Sequence, residues 1–440
     1  MTIRESTPTV SVIIPTHNRS GALRRTLDAL GSQTYPLDLI EVIVVADGCT
    51  DDTGKILPTY NPPFKLRFVE QAAQGPAVAR NHGASLAAGR LLVFLDDDIQ
   101  AAPEFIAAHV RAHRQRPGLV AIGYLPPVLQ VQTGFFRLSL RAWWENKFTM
   151  MREPGHRYTY RDLLSGNVSL EREMFAATGG FDPALYCHED YELGIRLIKA
   201  GASLTFTPEA LGYHYEITQM SRSFQRKYDE GRADVLIGRR HPELRPCLPL
   251  ARAGAWSRLN YVLRAAAFAW PAAENLFAVG SRIALGIFER LRMRALWRQL
   301  LDNMLDYWYW RGVAKEIGGE QALADFVREA PADGTDDSEI EIDLRDGLEA
   351  AERRLSEERP ASAFIRYGRQ DVGRILPRPD AERLRGEHLR SILATTMAWP
   401  LLDALTVEKA TAGETTQFWP FADSSCQFSE PVYADESTGS

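Results

Sequence analysis

Three consecutive carboxylates, Asp96-Asp97-Asp98, close an apolar run from Leu91 to Leu95. Crowded carboxylates repel one another. A hard divalent cation removes that cost, and magnesium or manganese commonly joins one or two carboxylates to substrate phosphates. The competing reading is a solvated acidic turn capping a helix that begins near Pro103, and the triplet alone leaves the two level. A second polar cluster, Asp47-Gly48-Cys49-Thr50-Asp51-Asp52, follows the apolar run Ile40–Val45. Asp47 could accept from a base-edge N–H or a hydroxyl; taken alone, the cluster reads better as a strand-to-helix turn capped by Thr50 or Asp51. Arg80 carries the planar fork that suits a diphosphate, or is a surface arginine. His188-Glu189-Asp190 opens a helical stretch to about Lys199, with Leu193 and Leu197 on its core face. Acids in a first turn complement the helix dipole, so that placement alone does not demand catalysis. His214 ends a strand-like run from Ser203 and could return to the same pocket. His17, His82 and His188 are alternatives that spacing does not separate. Gly179-Gly180, just before the acidic helix start, suggests a pocket wall that must approach a ligand closely.

The elements around these residues alternate. Val10–Ile14 reads as a buried strand, and Ser20 can cap a helix bearing Leu23, Leu27 and Leu30 at helical spacing. Ile40–Val45 is a second strand and Leu66–Val69 a weaker third. Gly75–Ala88 is a helix and Leu91–Leu95 a fourth strand. Such an order builds a mostly parallel sheet covered by helices. Ligands of such sheets bind outside the carboxyl ends of the strands. Thr16–Arg19, Asp47–Asp52 and Asp96–Asp98 fall at three such ends, and their convergence is a stronger signal than any one loop.

With 440 residues and a formal charge of −6, two or three domains are expected. That charge disfavours nucleic acid as a partner. The four cysteines form no CxxC pair and read as reduced thiols in a reducing compartment. No apolar stretch is long enough to span a membrane, so a cytoplasmic protein is expected. Arg252–Gln299 holds eight arginines against two glutamates, with Trp256, Trp270 and Trp297 interleaved. The favoured reading packs these tryptophans on the sheet domain, with arginines facing the acidic stretch Glu329–Glu352. The alternative is peripheral contact of 252–299 with the inner face of an anionic membrane. The expected divisions are an α/β domain at 8–240, a helical extension at 241–328, an acidic linker at 329–338, a small α+β module at 339–409 and a disordered tail at 410–440.

Taken together, the motifs resemble the inverting family 2 glycosyltransferases of GT-A fold over about residues 8–240. The resemblance rests on Val10-Ser11-Val12-Ile13-Ile14-Pro15-Thr16-His17-Asn18-Arg19, Ala46-Asp47-Gly48-Cys49-Thr50-Asp51 and Ala79-Arg80-Asn81-His82-Gly83. It continues in Leu95-Asp96-Asp97-Asp98, Gly166-Asn167, Gly179-Gly180-Phe181-Asp182 and Glu189-Asp190. The family often has two acids where this chain has Ala46-Asp47. The resemblance implies Asp190 as catalytic base. It implies Asp47 as reader of the base, Thr16 in the base and ribose pocket, and Arg80 beside the nucleotide. Asp96 would touch the ribose with Asp97 and Glu189 nearby, and Asp98 with His214 would bind Mn2+ or Mg2+. The expected reaction moves a sugar from a nucleoside-diphosphate donor, UDP foremost, to a carbohydrate or lipid-linked sugar acceptor. Two alternatives are a nucleotidyltransferase, which would need a Gly-rich loop where Thr16–Arg19 stands, and a non-catalytic binding scaffold. Acceptor specificity is expected in loops such as Leu125–Tyr160.

Overall fold

The structure is a computed structural model that describes residues 9–116, 118–128, 134–215, 218–251, 258–269, 274–329 and 338–412. The tail from 413, most of the acidic linker, and Trp256 and Trp270 lie outside the described residues. In chain order the first half holds β1 (Val10–Thr16), α1 (Ser20–Leu30), β2 (Ile40–Asp47), α2 (Thr53–Ile56), β3 (Lys65–Gln71), α3 (Pro76–Leu86), β4 (Leu91–Leu95) and β5 (Ile99–Ala101). It continues with α4 (Phe105–Gln115), β6 (Leu119–Tyr124), α5 (Phe135–Arg152), β7 (Asn167–Glu171), α6 (Arg172–Ala177), α7 (Glu189–Lys199) and β8 (Ser203–His214).

The eight strands form one sheet in the order β3-β2-β1-β4-β7-β6-β8-β5. β3, β2, β1 and β4 are mutually parallel, as the alternation of strand and helix dictates. β7 then enters antiparallel between β4 and β6, which makes the sheet mixed. β1, β2 and β4 are apolar and buried on both faces, the pattern of strands covered by helices. β3 is half exposed because it lies at the edge. The core face of α1 is Leu23, Thr26, Leu27 and Leu30, as the spacing indicated. Ser20, however, is its first residue and not its cap: its N–H donates to Asp51 Oδ2 at 2.9 Å. Asp51 also accepts from the Thr53 N–H and hydroxyl, so one carboxylate pins two helix starts. Leu125–Tyr160 is not all loop; α5 fills 18 residues of it, with Trp144, Phe148 and Met151 buried.

After the sheet come α8 (Met220–Arg240), α9 (Arg258–Ala269), α10 (Glu274–Arg290), α11 (Arg294–Ile317) and α12 (Glu320–Arg328). α8 and α11 cross closely where Gly231 faces the Tyr309 carbonyl and Gly312 faces the Tyr228 carbonyl; a Cβ at either would strike backbone. Tyr307, Tyr309, Trp310 and Val313 of α11 belong to the same continuous core as the sheet. Trp297 is fully buried with Phe224, Leu285, Leu301 and Met304. Among the described residues, Arg264 pairs with Glu320 and Arg298 with Asp302, and no arginine of this region reaches the acidic stretch.

The last unit has its own core. It comprises β9 (Glu339–Asp343), α13 (Leu348–Glu358), β10 (Ser362–Tyr367), β11 (Gln370–Ile375), α14 (Gly386–Ala394) and α15 (Ala398–Ala412), with strand order β11-β10-β9. The sequence showed the acidic-apolar alternation of β9 but not the β10–β11 hairpin. The unit docks on the segment before β7. Glu382 N–H donates to the Tyr158 carbonyl, Arg157 Nε donates to the Glu382 carbonyl, and Arg385 Nη2 donates to the Leu204 carbonyl.

Candidate active site

A cavity of about 580 Å³ opens at the carboxyl ends of β1, β2 and β4. Thr16, His17 and Arg19 line it from the turn after β1, Asp47 from the end of β2, and Asp96 and Asp97 from the end of β4. Gln74 and Gly75 come from the turn into α3, Arg80 from the middle of α3, Tyr186 from the loop before α7, and Arg222 from α8. Thr16, Asp47, Arg80, Asp96 and Asp97 of the expected set therefore share one wall. Glu189 reaches it through Arg80, and Asp98 with His214 through Arg19.

The three crowded carboxylates divide between two arginines, Arg80 for Asp96 and Arg19 for Asp97 and Asp98. Asp96 Oδ1 takes Arg80 Nη2 at 2.7 Å. Asp97 is buried: its Oδ2 accepts from Thr16 Oγ1 at 2.7 Å and its Oδ1 lies 3.1 Å from Arg19 Nη1. Asp98 Oδ2 takes the same Arg19 nitrogen at 2.7 Å, and its Oδ1 faces His214 Nε2 at 3.7 Å. Their acidities separate accordingly. Burial pushes the Asp97 carboxyl up to about 6 despite Arg19 and Thr16. Burial also works against Asp98, yet His214 and Arg19 hold it below the usual carboxylate range. Of the four candidate histidines only His214 meets this triplet. His17 Nδ1 lies on the Asp47 carbonyl, His82 on Gln71, and His188 on Asp234, which itself accepts from Tyr309.

Arg80 is 4% exposed, so the surface reading fails. Its second nitrogen, Nη1, meets Glu189 Oε1 at 2.8 Å, and its guanidinium lies 5.5 Å from the Phe181 ring centroid. Burial opposes the Arg80 charge, but Asp96 and Glu189 more than restore it. Glu189 is raised, first by burial and then by the neighbouring Asp190 charge, against the pull of Arg80. Asp190, half-buried in the first turn of α7, accepts from the Ser165 N–H at 3.3 Å and the Tyr191 N–H at 2.9 Å. Two backbone donors aim its carboxylate and leave it lone pairs to receive a proton.

Asp47 is more engaged than its sequence setting suggested. Its Oδ1 accepts from Gln71 Nε2 and the Gln74 N–H, and its Oδ2 from the Gly75 N–H, all within 2.9 Å. It fixes the turn into α3 as well as lining the cavity. Gly179 and Gly180 are not among the residues that line this cavity. Gly180 has φ +71° and packs on Asn81, whose side chain donates to the Phe181 carbonyl and accepts from the Phe181 N–H. Sequence reasoning missed Arg19, Tyr186 and Arg222. Arg19 stood inside a quoted motif and was legible as the cation that three acids need. Arg222 and Tyr186 carried no signal, because only the tertiary fold brings α8 and the loop before α7 over the cavity.

Residues 11–179 match the family described as glycosyl transferase family 2. Over residues 11–179 the chain carries a family 2 glycosyltransferase domain. Residues 146–220, which overlap the end of that match and run past it, match the family described as the N-terminal domain of galactosyltransferase. The chain is 31% identical over 274 residues to validoxylamine A glucosyltransferase of Streptomyces hygroscopicus subsp. jinggangensis, covering 54% of this chain and 62% of the relative. It is 31% identical over 225 residues to the O-antigen biosynthesis protein RfbC of Myxococcus xanthus, covering 48% of this chain and 17% of that protein. The match thus spans less than two thirds of either relative's length. Among solved structures, the mannosyltransferase PcManGT of Pyrobaculum calidifontis aligns with TM-score 0.46 and 20% identity, over 68% of this chain and 86% of that one.

Proposed function

We propose that the glycosyltransferase domain moves a sugar from a nucleoside-diphosphate donor, UDP foremost, to a hydroxyl of a carbohydrate or lipid-linked acceptor, with inversion. The observation that carries this reading is the Arg80 bridge. One guanidinium ties the Asp96 turn to Glu189, the chain neighbour of Asp190 in the first turn of α7, and this supports Asp190 as the proton acceptor although it does not itself line the cavity. Asp190 takes the acceptor proton as the acceptor oxygen attacks the anomeric carbon. The new C–O bond forms as the bond from that carbon to the diphosphate oxygen breaks, and the nucleoside diphosphate leaves with the electron pair. Such a single displacement needs no covalent nucleophile, and inversion follows.

The donor set also fits a divalent cation. Asp98 Oδ1 and His214 Nε2 face each other at 3.7 Å and offer one carboxylate oxygen and one imidazole nitrogen, a combination that suits Mn2+ or Mg2+. When bound, the metal would neutralise the departing diphosphate. Arg222 and Arg19 add protein cations to the cavity wall. Thr16, Asp47 and Asp96 are assigned to the nucleoside.

The test is a donor-turnover assay with UDP-sugars and manganese, with released nucleotide identified by chromatography. Nucleoside diphosphate is the expected product. Release of pyrophosphate would make the chain a nucleotidyltransferase, and no release with any donor would make it a scaffold; either result overturns the proposal.

A further inference from the structure

Val279, Ile283 and Ile287 recur every fourth residue along α10 and are 55, 60 and 49% exposed. Leu291, 63% exposed, carries the row past the helix end. At 1.5 Å per residue the row is about 18 Å long. The other side of α10 is spoken for. Ser281 and Leu285 are buried, and Phe288 packs on the cluster of Trp297, Leu301 and Met304. A Cβ placed at Gly280 or Gly286 would meet no atom within 4 Å, so no described part of the chain lies over those positions. An apolar row left open in this way needs an occupant.

Charge identifies its chemistry. Arg282, Arg290, Arg292 and Arg294 are exposed along and beyond the same helix. None has a carboxylate partner among the described residues. The only acid between 278 and 298 is Glu289, and its Oε1 already accepts from the Phe135 N–H at 2.9 Å. A second copy of this chain would bring the same uncompensated arginines, whereas anionic phosphate supplies the missing countercharge. An amphipathic helix with an apolar face and a basic flank is suited to lie in the plane of a membrane interface. We propose that α10 docks the protein on an anionic lipid surface, with Val279, Ile283, Ile287 and Leu291 at the acyl boundary and the four arginines among headgroup phosphates. The surface sits on the helical extension and uses no residue assigned to donor binding or proton transfer.

The experiment is co-sedimentation of the full chain, without donor, with phosphatidylcholine vesicles and with vesicles in which about a quarter of the lipid is phosphatidylglycerol. Binding is expected to the anionic vesicles only, and to weaken in 1 M salt, where the Debye length falls to about 3 Å. Ile283→Ser with Ile287→Ser, and separately Arg290→Gln with Arg292→Gln and Arg294→Gln, are each expected to lower vesicle affinity about tenfold or more. These side chains are exposed, so both variants should keep the parent melting temperature. Protein left in the supernatant with anionic vesicles at low salt overturns the proposal. So does parental binding by the isoleucine variant. A dimer in solution that the isoleucine variant dissociates, with no vesicle binding, assigns the face to a second copy instead. Donor turnover in solution, measured alongside, tests the glycosyl-transfer reading independently, so the two can fail separately.

Discussion

Arg80 Nη1 stands 2.8 Å from Glu189 Oε1, joining the middle of α3 to the first residue of α7. The two residues stand 109 positions apart in sequence. The same guanidinium holds Asp96, so it ties the cavity wall to the start of the acidic helix. Glu189 is therefore read best as the anchor that fixes Asp190 in place, and not as a second proton acceptor.

Removal of that cation should be felt first in stability. Arg80→Ala leaves Glu189 buried without its partner, and breaking a buried pair from one side commonly costs about 3–5 kcal/mol. Urea unfolding of the variant should show a loss in that range, with a nearly unchanged m-value. A change below about 1 kcal/mol would mean that the bridge holds nothing together.

Asp190→Asn should spare the fold and donor affinity while lowering kcat about 10²–10⁴-fold. The Ser165 and Tyr191 N–H groups meet different oxygens of Asp190, so the amide keeps one of these bonds, loses the weaker one, and cannot take a proton. Steady-state kinetics separate the two effects. Parental turnover removes Asp190 from the mechanism. In the parent, proton NMR of fresh product should give the anomeric coupling of the inverted sugar, and retention would refute single displacement.

Much of this site was legible from local pattern. The strand ends were readable because β1, β2 and β4 are continuous apolar runs followed at once by polar residues. The acidic start of α7 was readable from Glu189-Asp190 ahead of Leu193 and Leu197. What local pattern could not show was how a residue type would be used. Gly179-Gly180 looked like a ligand wall and serves Asn81, because the glycine requirement is the same for any close neighbour. Asp47 read as an acceptor for a base edge or a hydroxyl and is engaged by backbone N–H groups of the downstream turn into α3. Arg222 was invisible because the placement of α8 depends on the Gly231–Gly312 crossing with α11, a contact between distant segments.

Asp98→Asn should greatly weaken manganese-dependent UDP binding in calorimetry. The carboxylate charge is lost while shape is kept, and both the His214 and Arg19 contacts fall on this one side chain. His214→Gln should weaken the metal dependence less, since it removes a neutral ligand and no charge. Undiminished metal-dependent binding in Asp98→Asn would sink the metal assignment.

Arg222 lines the cavity from α8 and is exposed, so its truncation should leave the melting temperature unchanged. As a cation facing donor phosphates it should contribute about 1–3 kcal/mol to their binding. Arg222→Ala should therefore raise the donor KM about tenfold, and Arg222→Lys should restore part of it. Equal KM values in parent and both variants would show that Arg222 faces no part of the donor.

Acid should unfold this protein through two neutral histidines beneath the sheet. His109 on α4 is fully buried between Asn167 and Ser169, with its Nε2 at 2.9 Å from Asn167 Oδ1 and its Nδ1 at 2.8 Å from Ser169 Oγ. Burial pushes its pKa down to about 3, and that of His113, which reaches the same Ser169 hydroxyl, to about 4. In the unfolded chain both titrate near the ordinary value of about 6.5. Between that value and the folded one the unfolded state binds more protons, so stability falls as pH falls through that window. From pH 7 to pH 5 each histidine should remove about 2 kcal/mol. Asp97 has the opposite sign: its raised folded pKa favours the native state at low pH, and that contribution is lost as pH rises through about 6. Asp306, which burial also pushes up to about 6, and Glu189, raised by burial and by Asp190, act in the same direction, so the histidine effect is read from the difference between parent and variant. Urea unfolding at pH 7 and pH 5 measures it. His109→Gln, less stable at pH 7 for want of one hydrogen bond, should lose about 2 kcal/mol less over the same interval. A parallel loss in parent and variant would show that His109 is protonated in the native state and that the acid sensitivity lies elsewhere.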